Sequence, residues 1–246
     1  MRPFEEEVAG RIAANGADEG LKRAAAGFME ASIPAKYSYN FRWMGRPIIQ
    51  YPQDIVATQE LIYSVQPDLI IETGIAHGGS IIFSASMLEL NAACGGPADA
   101  KVVAVDIEIR EHNRKAIEAH PMARRIRMIE GSSIAPEVVG QVRIEAEGRR
   151  RVMVLLDSNH THEHVLAELR AFAPLVTKDS YCVVFDTVVE DLPAEFSSDR
   201  PWAPGDNPRT AVNEYLKETD AFEVDRGLDD KILISVAGGG YLRRIR

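Results

Sequence analysis

A chain of 246 residues that is 46% hydrophobic and 26% charged can bury the core of one α/β domain, which argues against intrinsic disorder. Its formal charge of −9, with Arg149-Arg150-Arg151 as the densest basic run, argues against a nucleic-acid surface and points to a small or neutral substrate. Cys94 and Cys182 lie far apart without metal-ligand spacing, and no amino-terminal apolar run reaches signal or membrane length, so the expectation is a reduced, cytoplasmic protein with no membrane partner.

Up to about residue 30 the chain is rich in Ala, Glu and Arg, with Val8, Ile12, Leu21 and Phe28 as apolar positions. One or two peripheral helices are predicted, interrupted at Gly16 and Gly20, forming an arm suited to a neighbouring subunit. Residues 34–51 concentrate Tyr37, Tyr39, Phe41, Trp43 and Tyr51 among Pro and Gly, either as a loop packed over the sheet edge or as one wall of a substrate pocket. Residues 1–50 are thus read as arm plus aromatic segment, and 51–246 as the main domain. Pro52 suits the first turn of a helix in which Ile55, Val56, Leu61, Ile62 and Val65 recur at helical spacing.

The run Leu69-Ile70-Ile71-Glu72-Thr73-Gly74-Ile75-Ala76-His77-Gly78-Gly79-Ser80 organises the main domain. A continuous apolar strand ends in an acid, and a glycine loop then opens a helix. The spacing departs from the G-x-G-x-x-G of dinucleotide folds and lacks the Lys-Ser/Thr pair of a triphosphate loop. It resembles motif I of class I S-adenosylmethionine (SAM) methyltransferases, in which the acid and loop hold the methionine end of the cofactor. Ser80 and the first N–H groups of the helix are suited to receive a carboxylate. An ordinary tight turn is the alternative.

A second buried strand, Val102 to Val105, ends in Asp106, placed to accept the two hydroxyls of a ribose or else to cap a helix. A third, Arg127 to Glu130, stops at Gly131-Ser132-Ser133, which either bounds an adenine or caps the helix beginning near Ile134-Ala135-Pro136. The fourth, Val152 to Leu156, ends at Asp157 and continues into Ser158-Asn159-His160-Thr161-His162; the fifth, Tyr181 to Phe185, ends at Asp186-Thr187. Strands alternating with helices imply a parallel sheet, so Glu72, Asp106, Asp157 and Asp186 gather along the carboxyl rim where ligands of such sheets bind. Residues 188–209, with Phe196, Trp202 and several prolines, read as a lid. Lys231 to Val236 and Tyr241 to Arg244 read as a carboxy-terminal hairpin around Gly238-Gly239-Gly240.

Two carboxylates from neighbouring strand ends suit Mg²⁺. The spacing resembles catechol O-methyltransferase-like enzymes. That resemblance implies metal ligands at Asp157 and Asp186, with Thr187 where Asn would stand, and a general base at His160 where a lysine would stand. A solvated acidic rim and a helix-capping histidine are the alternatives.

Trp43-Met44-Gly45-Arg46-Pro47, Gln50-Tyr51-Pro52-Gln53-Asp54, the run from Pro67 to Ser80, Ile129-Glu130-Gly131-Ser132-Ser133, Arg200-Pro201-Trp202 and Asn207-Pro208 carry a further resemblance. From about residue 40 to its end the chain resembles the family named after cephalosporin hydroxylase, the cephamycin 7-methoxylation protein, grouped with rhamnosyl O-methyltransferases. The resemblance implies a class I fold with a seven-stranded, mostly parallel sheet, SAM as cofactor, a divalent metal and assembly into homo-oligomers. Where the family shows two acids before Thr on the fifth strand, this chain has Phe185-Asp186-Thr187. No two-His, one-carboxylate spacing for an iron hydroxylase is present. The expectation is therefore a SAM-dependent O-methyltransferase, Mg-assisted, acting on a hydroxyl of a sugar or secondary metabolite. Glu72, Gly74, Gly78, Ser80, Asp106, Ser132 and Asp157 hold the cofactor in this reading, and His160 and Asp157 are catalytic. The competing expectations are an NAD-dependent oxidoreductase and a non-catalytic partner protein on the same fold.

Overall fold

In the computed structural model, which describes residues 3–246, two helices precede the sheet: α1 (Pro3–Ala17) and α2 (Glu19–Ser32). Residues 1 and 2, at the start of the predicted arm, lie outside the described residues. The break between the helices falls at Asp18, whose carboxylate accepts the N–H groups of Gly20 and Leu21, both at 2.9 Å, as an N-cap. A small antiparallel ribbon comes next, β1 (Phe41–Trp43) and β2 (Arg46–Ile48), and then α3 (Pro52–Val65) with Pro52 in its first turn.

The main sheet is built from β3 (Leu69–Thr73), α4 (Gly79–Ala93), β4 (Lys101–Asp106), α5 (Glu111–Glu118), β5 (Ile126–Glu130), α6 (Pro136–Ala146), β6 (Val152–Leu156), α7 (His162–Phe172) and β7 (Tyr181–Val184). It is completed by α8 (Pro208–Glu218), β8 (Phe222–Val224), α9 (Arg226–Ile232) and β9 (Tyr241–Arg244). Strand order is β5-β4-β3-β6-β7-β9-β8, with β5 to β7 mutually parallel and β9 antiparallel to both its neighbours. Because successive strand residues face opposite sides, each apolar run feeds two cores. Ile70, Val102, Ala104, Met153 and Val183 pack with α3 and α4; Leu69, Ile71, Val103, Val105 and Val154 pack with α6, α7 and α8. From β3 the chain proceeds outward to β4 and β5, then returns to the other side of β3 as β6. The strand order thus reverses between β3 and β6, and Gly74 and Asp157 come directly after the two strands that flank this switch point.

The carboxy-terminal hairpin is present, but its first strand is Phe222–Val224 rather than the predicted Lys231 to Val236. That segment instead contributes to α9. Asp225 caps the helix through the Leu228 N–H at 3.1 Å, and Leu228 and Ile232, four apart, turn their side chains to the core. The aromatic segment is packed on the chain itself. Tyr37 lies between Phe28, Phe41 and Tyr51 with ring centroids 5.4, 5.1 and 5.6 Å away, and Trp43 stands on Phe83 while its indole N–H donates to Ser86 at 2.9 Å. Helix α1 lies against α9 of the same chain, with Gly16 so close to Asp230 that a Cβ would collide. Among the described residues no helix is long and apolar enough to cross a membrane.

Candidate active site

The glycine loop between β3 and α4 takes its shape from backbone that L side chains resist. Gly74 (φ +92°), Ala76 (φ +45°) and Gly78 (φ +83°) are all left-handed, and a Cβ at Gly74 would meet the carbonyl oxygen of Asp157 across the switch point. Side chains from three other elements hold this path. Asp106 Oδ2 accepts the N–H groups of Ile75 at 2.7 Å and Ala76 at 3.2 Å, and Oδ1 accepts that of Glu108 at 3.2 Å. Asn113 donates to the Ala76 carbonyl at 2.9 Å, and Arg46 donates to the His77 carbonyl and to Asn113 Oδ1, each at 2.9 Å. Arg46 belongs to a run that carries the family resemblance, but its pairing with Asn113 escapes sequence reasoning because no periodicity joins positions 67 residues apart.

Glu72 lies beneath the loop, 1% exposed, its two carboxylate oxygens receiving the hydroxyls of Ser80 and, at 3.0 Å, Ser84. Burial pushes its pKa up to about 8, opposed by the Ser84 hydrogen bond. In this conformation Ser80 donates downward to Glu72 rather than toward the loop's open side, and Asp106, expected at a ribose, spends Oδ2 on the loop backbone. Ser132 and Ser133 do not cap α6; Ala135 occupies that position without a side-chain bond. Ser133 instead meets His164 Nε2 at 3.0 Å, and His164 belongs to a buried group in which Ser158 donates to Glu168 at 2.7 Å. That group supports the turn carrying Asp157.

The acids at the ends of β6 and β7 converge as expected. One donor atom each from Asp157, His160 and Asp186 lies within 4.8 Å of the others, and His160 Nε2 is 3.1 Å from Asp186 Oδ2. Asp186 is left-handed (φ +55°), a conformation Asp tolerates better than most residues, which ends β7 abruptly at the rim. Burial, reinforced by the charges of Asp186, Glu72, Asp54 and Glu168, raises the Asp157 pKa well above the usual carboxylate range. Thr187 follows Asp186 in the chain. It is fully buried, and its hydroxyl, the oxygen expected at a metal, donates to the carbonyls of Val236 at 3.2 Å and Gly238 at 2.8 Å. Phe185 packs into the core beneath.

The stretch 188–209 folds over this rim and is fixed on both flanks. Glu190 accepts the Gly205 N–H at 2.8 Å and the Asn207 amide at 2.5 Å, while Asp206 accepts the His162 N–H at 2.8 Å. Trp202 and the His160 ring meet edge-to-face with centroids 4.8 Å apart, and the Arg200 guanidinium lies over the indole at 5.6 Å. A glycine loop at a switch point, acids at neighbouring strand ends and a histidine against Trp202 can bind a nucleoside-like ligand beside a second molecule whose proton is to be removed.

The family model described as Rhamnosyl O-methyltransferase/CmcI matches residues 35–245. The chain is 31% identical over 208 residues to the rhamnosyl O-methyltransferase of Mycobacterium leprae (strain TN), covering 82% of each chain, and 30% identical over 207 residues to that of Mycobacterium tuberculosis (strain ATCC 25618 / H37Rv), covering 82% of this chain and 77% of the relative. Among solved structures, the Mg-SAM form of CmcI superposes with a TM-score of 0.57 at 15% identity over 85% of this chain and 78% of that one. The apo TDP-rhamnose 3'-O-methyltransferase CalS11 superposes with a TM-score of 0.51 at 16% identity over 92% of each, and both likenesses are of fold. Over residues 35–245, the chain belongs to the rhamnosyl O-methyltransferase/CmcI family of SAM-dependent methyltransferases.

Proposed function

We propose that this chain is a cytoplasmic O-methyltransferase that transfers the methyl group of SAM to a hydroxyl of a sugar or a small glycosylated metabolite. The observation that carries the reading is the convergence of Asp157, His160 and Asp186 at the strand ends beside the glycine loop. In this reading Gly74, Gly78, Glu72, Ser80, Asp106, Ser132 and Asp157 hold the cofactor, the glycines by letting the loop pack tightly on Asp157 and Ile117 and Glu72 by bracing the loop through Ser80. SAM supplies a methyl on a sulfonium, which leaves as a neutral thioether when the acceptor oxygen bonds to the methyl carbon. The hydroxyl proton must depart in that step, and Asp157 and His160 are the groups at hand to take it. Two carboxylates and an imidazole within reach of one point fit a divalent ion, Mg²⁺ in the reading from sequence. Bound there by Asp157 and Asp186, an ion would make the acceptor hydroxyl more acidic. Trp202 and the lid exclude water, and alignment of the reactants provides much of the remaining acceleration. The chain is read as a homo-oligomer, with Val56 and Tyr63 on one exposed face of α3 available to a second copy.

Calorimetric titration with SAM and with NAD⁺ tests the cofactor, and NAD⁺ binding without SAM binding would refute the reading. Mass spectrometry of SAM reactions with rhamnosides and related hydroxylated glycosides tests the chemistry. One added methyl on oxygen is the expected product; methyl on carbon or nitrogen overturns O-methylation, and binding with no turnover on any acceptor would favour a non-catalytic partner.

A further inference from the structure

The three-donor cluster is mixed in chemistry. Asp157 and Asp186 offer oxygen, His160 offers nitrogen, and the group lies in a partly buried recess at the carboxyl rim. Mg²⁺ is a hard ion that keeps oxygen ligands and gives up water reluctantly. Imidazole suits first-row transition ions, whose affinity for nitrogen-containing sites rises from Mn²⁺ toward Cu²⁺. The neighbouring positions add no carboxylate: the Thr187 hydroxyl is buried and donates to the Val236 and Gly238 carbonyls, and Phe185 packs into the core. His160 is held in place before any ion arrives, since its ring packs edge-to-face with Trp202 and its Nε2 stands 3.1 Å from Asp186.

We infer that His160 is a metal ligand together with Asp157 and Asp186, and that the site takes a divalent transition ion such as Mn²⁺, Co²⁺ or Zn²⁺ in preference to Mg²⁺. This rests on the metal-assisted reading of the function and deepens it. His160 Nε2 is then committed to the ion, so the imidazole positions and tunes the ion, and the acceptor's proton passes to the second carboxylate oxygen of Asp157 instead of to His160.

The test uses the whole chain and the metal salts alone. Calorimetry with MgCl₂, MnCl₂ and CoCl₂ should show Mn²⁺ and Co²⁺ binding one to one at least about tenfold more tightly than Mg²⁺. His160→Ala should erase that preference by weakening Co²⁺ about tenfold or more while changing Mg²⁺ little, and should alter the visible absorption of the bound Co²⁺. In a Trp43→Phe background Trp202 is the remaining tryptophan, and its fluorescence should be quenched by Co²⁺ in step with binding and not by Mg²⁺. Asp157→Asn, which removes the charge of an oxygen ligand, should weaken both ions alike, and thermal unfolding of each variant separates ligand loss from misfolding. Equal affinity for Mg²⁺ and Co²⁺, or an unchanged Co²⁺ spectrum in His160→Ala, overturns the inference and leaves Mg-assisted transfer standing. Binding of no divalent ion at all, with methyl transfer persisting in EDTA, removes both the inference and metal assistance while leaving O-methylation in place.

Discussion

Glu72→Gln should stabilise this protein above neutral pH. The carboxyl of Glu72 is 1% exposed between β3 and α4, and burial, opposed by the Ser84 hydrogen bond, moves its pKa from an ordinary 4.5 up to about 8. A carboxyl whose folded pKa lies above its unfolded one binds its proton more tightly in the native state. Its protonation therefore contributes stability that is fully present below pH 4.5 and is lost as the pH rises through about 8. At about 1.4 kcal/mol per tenfold change in the proton equilibrium, the interval corresponds to on the order of 5 kcal/mol. That is comparable with the whole net stability of a small domain, roughly 5–15 kcal/mol. Glutamine keeps one oxygen for one serine hydroxyl, and the other hydroxyl can rotate to accept from the new NH₂ group. Urea unfolding of parent and variant at a series of pH values from 5 to 9 measures the difference. The two should be close in stability near pH 5 and separate by several kcal/mol, on the order of 3–5, by pH 9, with the variant the more stable. Asp54, also raised, to about 6, by burial, titrates in both proteins and cancels from the comparison. A parent-to-variant difference that stays constant across this range, or a variant less stable at pH 9, would refute the argument.

Three further outcomes are expected from the site. Gly74→Ala must hold a left-handed residue at about 1–2 kcal/mol and push a methyl into the Asp157 carbonyl, so SAM binding by calorimetry should be abolished and Tm lowered. Arg46→Ala removes charged donors from the His77 carbonyl and from Asn113; SAM Kd should rise about tenfold, and an unchanged Kd would show that the loop holds its path without them. Trp202→Ala uncovers His160 and should lower kcat by about tenfold while leaving SAM Kd within about twofold; equal losses in both would place Trp202 at the cofactor instead of over the acceptor.

The five parallel strands are legible in the sequence because strands buried on both faces must be apolar throughout: Val102 to Val105 is covered on alternate sides by two different helical layers. Their carboxyl ends share one rim by topology, so reading an acid at each end already gathers Asp157 and Asp186. Short edge elements carry no comparable signal. The three-residue β8 is too brief to show alternation, and Lys231 to Val236 resembles a strand until Leu228 and Ile232 are seen to share a helix face. Contacts between distant residues are equally silent, which is why the Arg46–Asn113 clamp and the carbonyl partners of Thr187 emerge only in three dimensions.

The histidines near the start of α7 mark the limit of what spacing conveys. His160, His162 and His164 alternate along five residues, and the spacing of the resemblance, three residues past Asp157, selects His160 without saying what the other two do. The fold gives each a different carboxylate. His160 faces Asp186 at 3.1 Å on the rim, His162 faces Glu214 at 3.2 Å on α8, and His164 faces Glu168 at 3.5 Å, with the acid buried. His162 also shares a hydrogen bond with Thr210 at 2.8 Å, and His164 is shared between Ser133 and Ser158, so both help fasten α7 to its neighbours. Only His160 lies with two carboxylates of neighbouring strands and under an aromatic lid. Chemistry is assigned to it by those surroundings: the same imidazole two or four residues later is a strut.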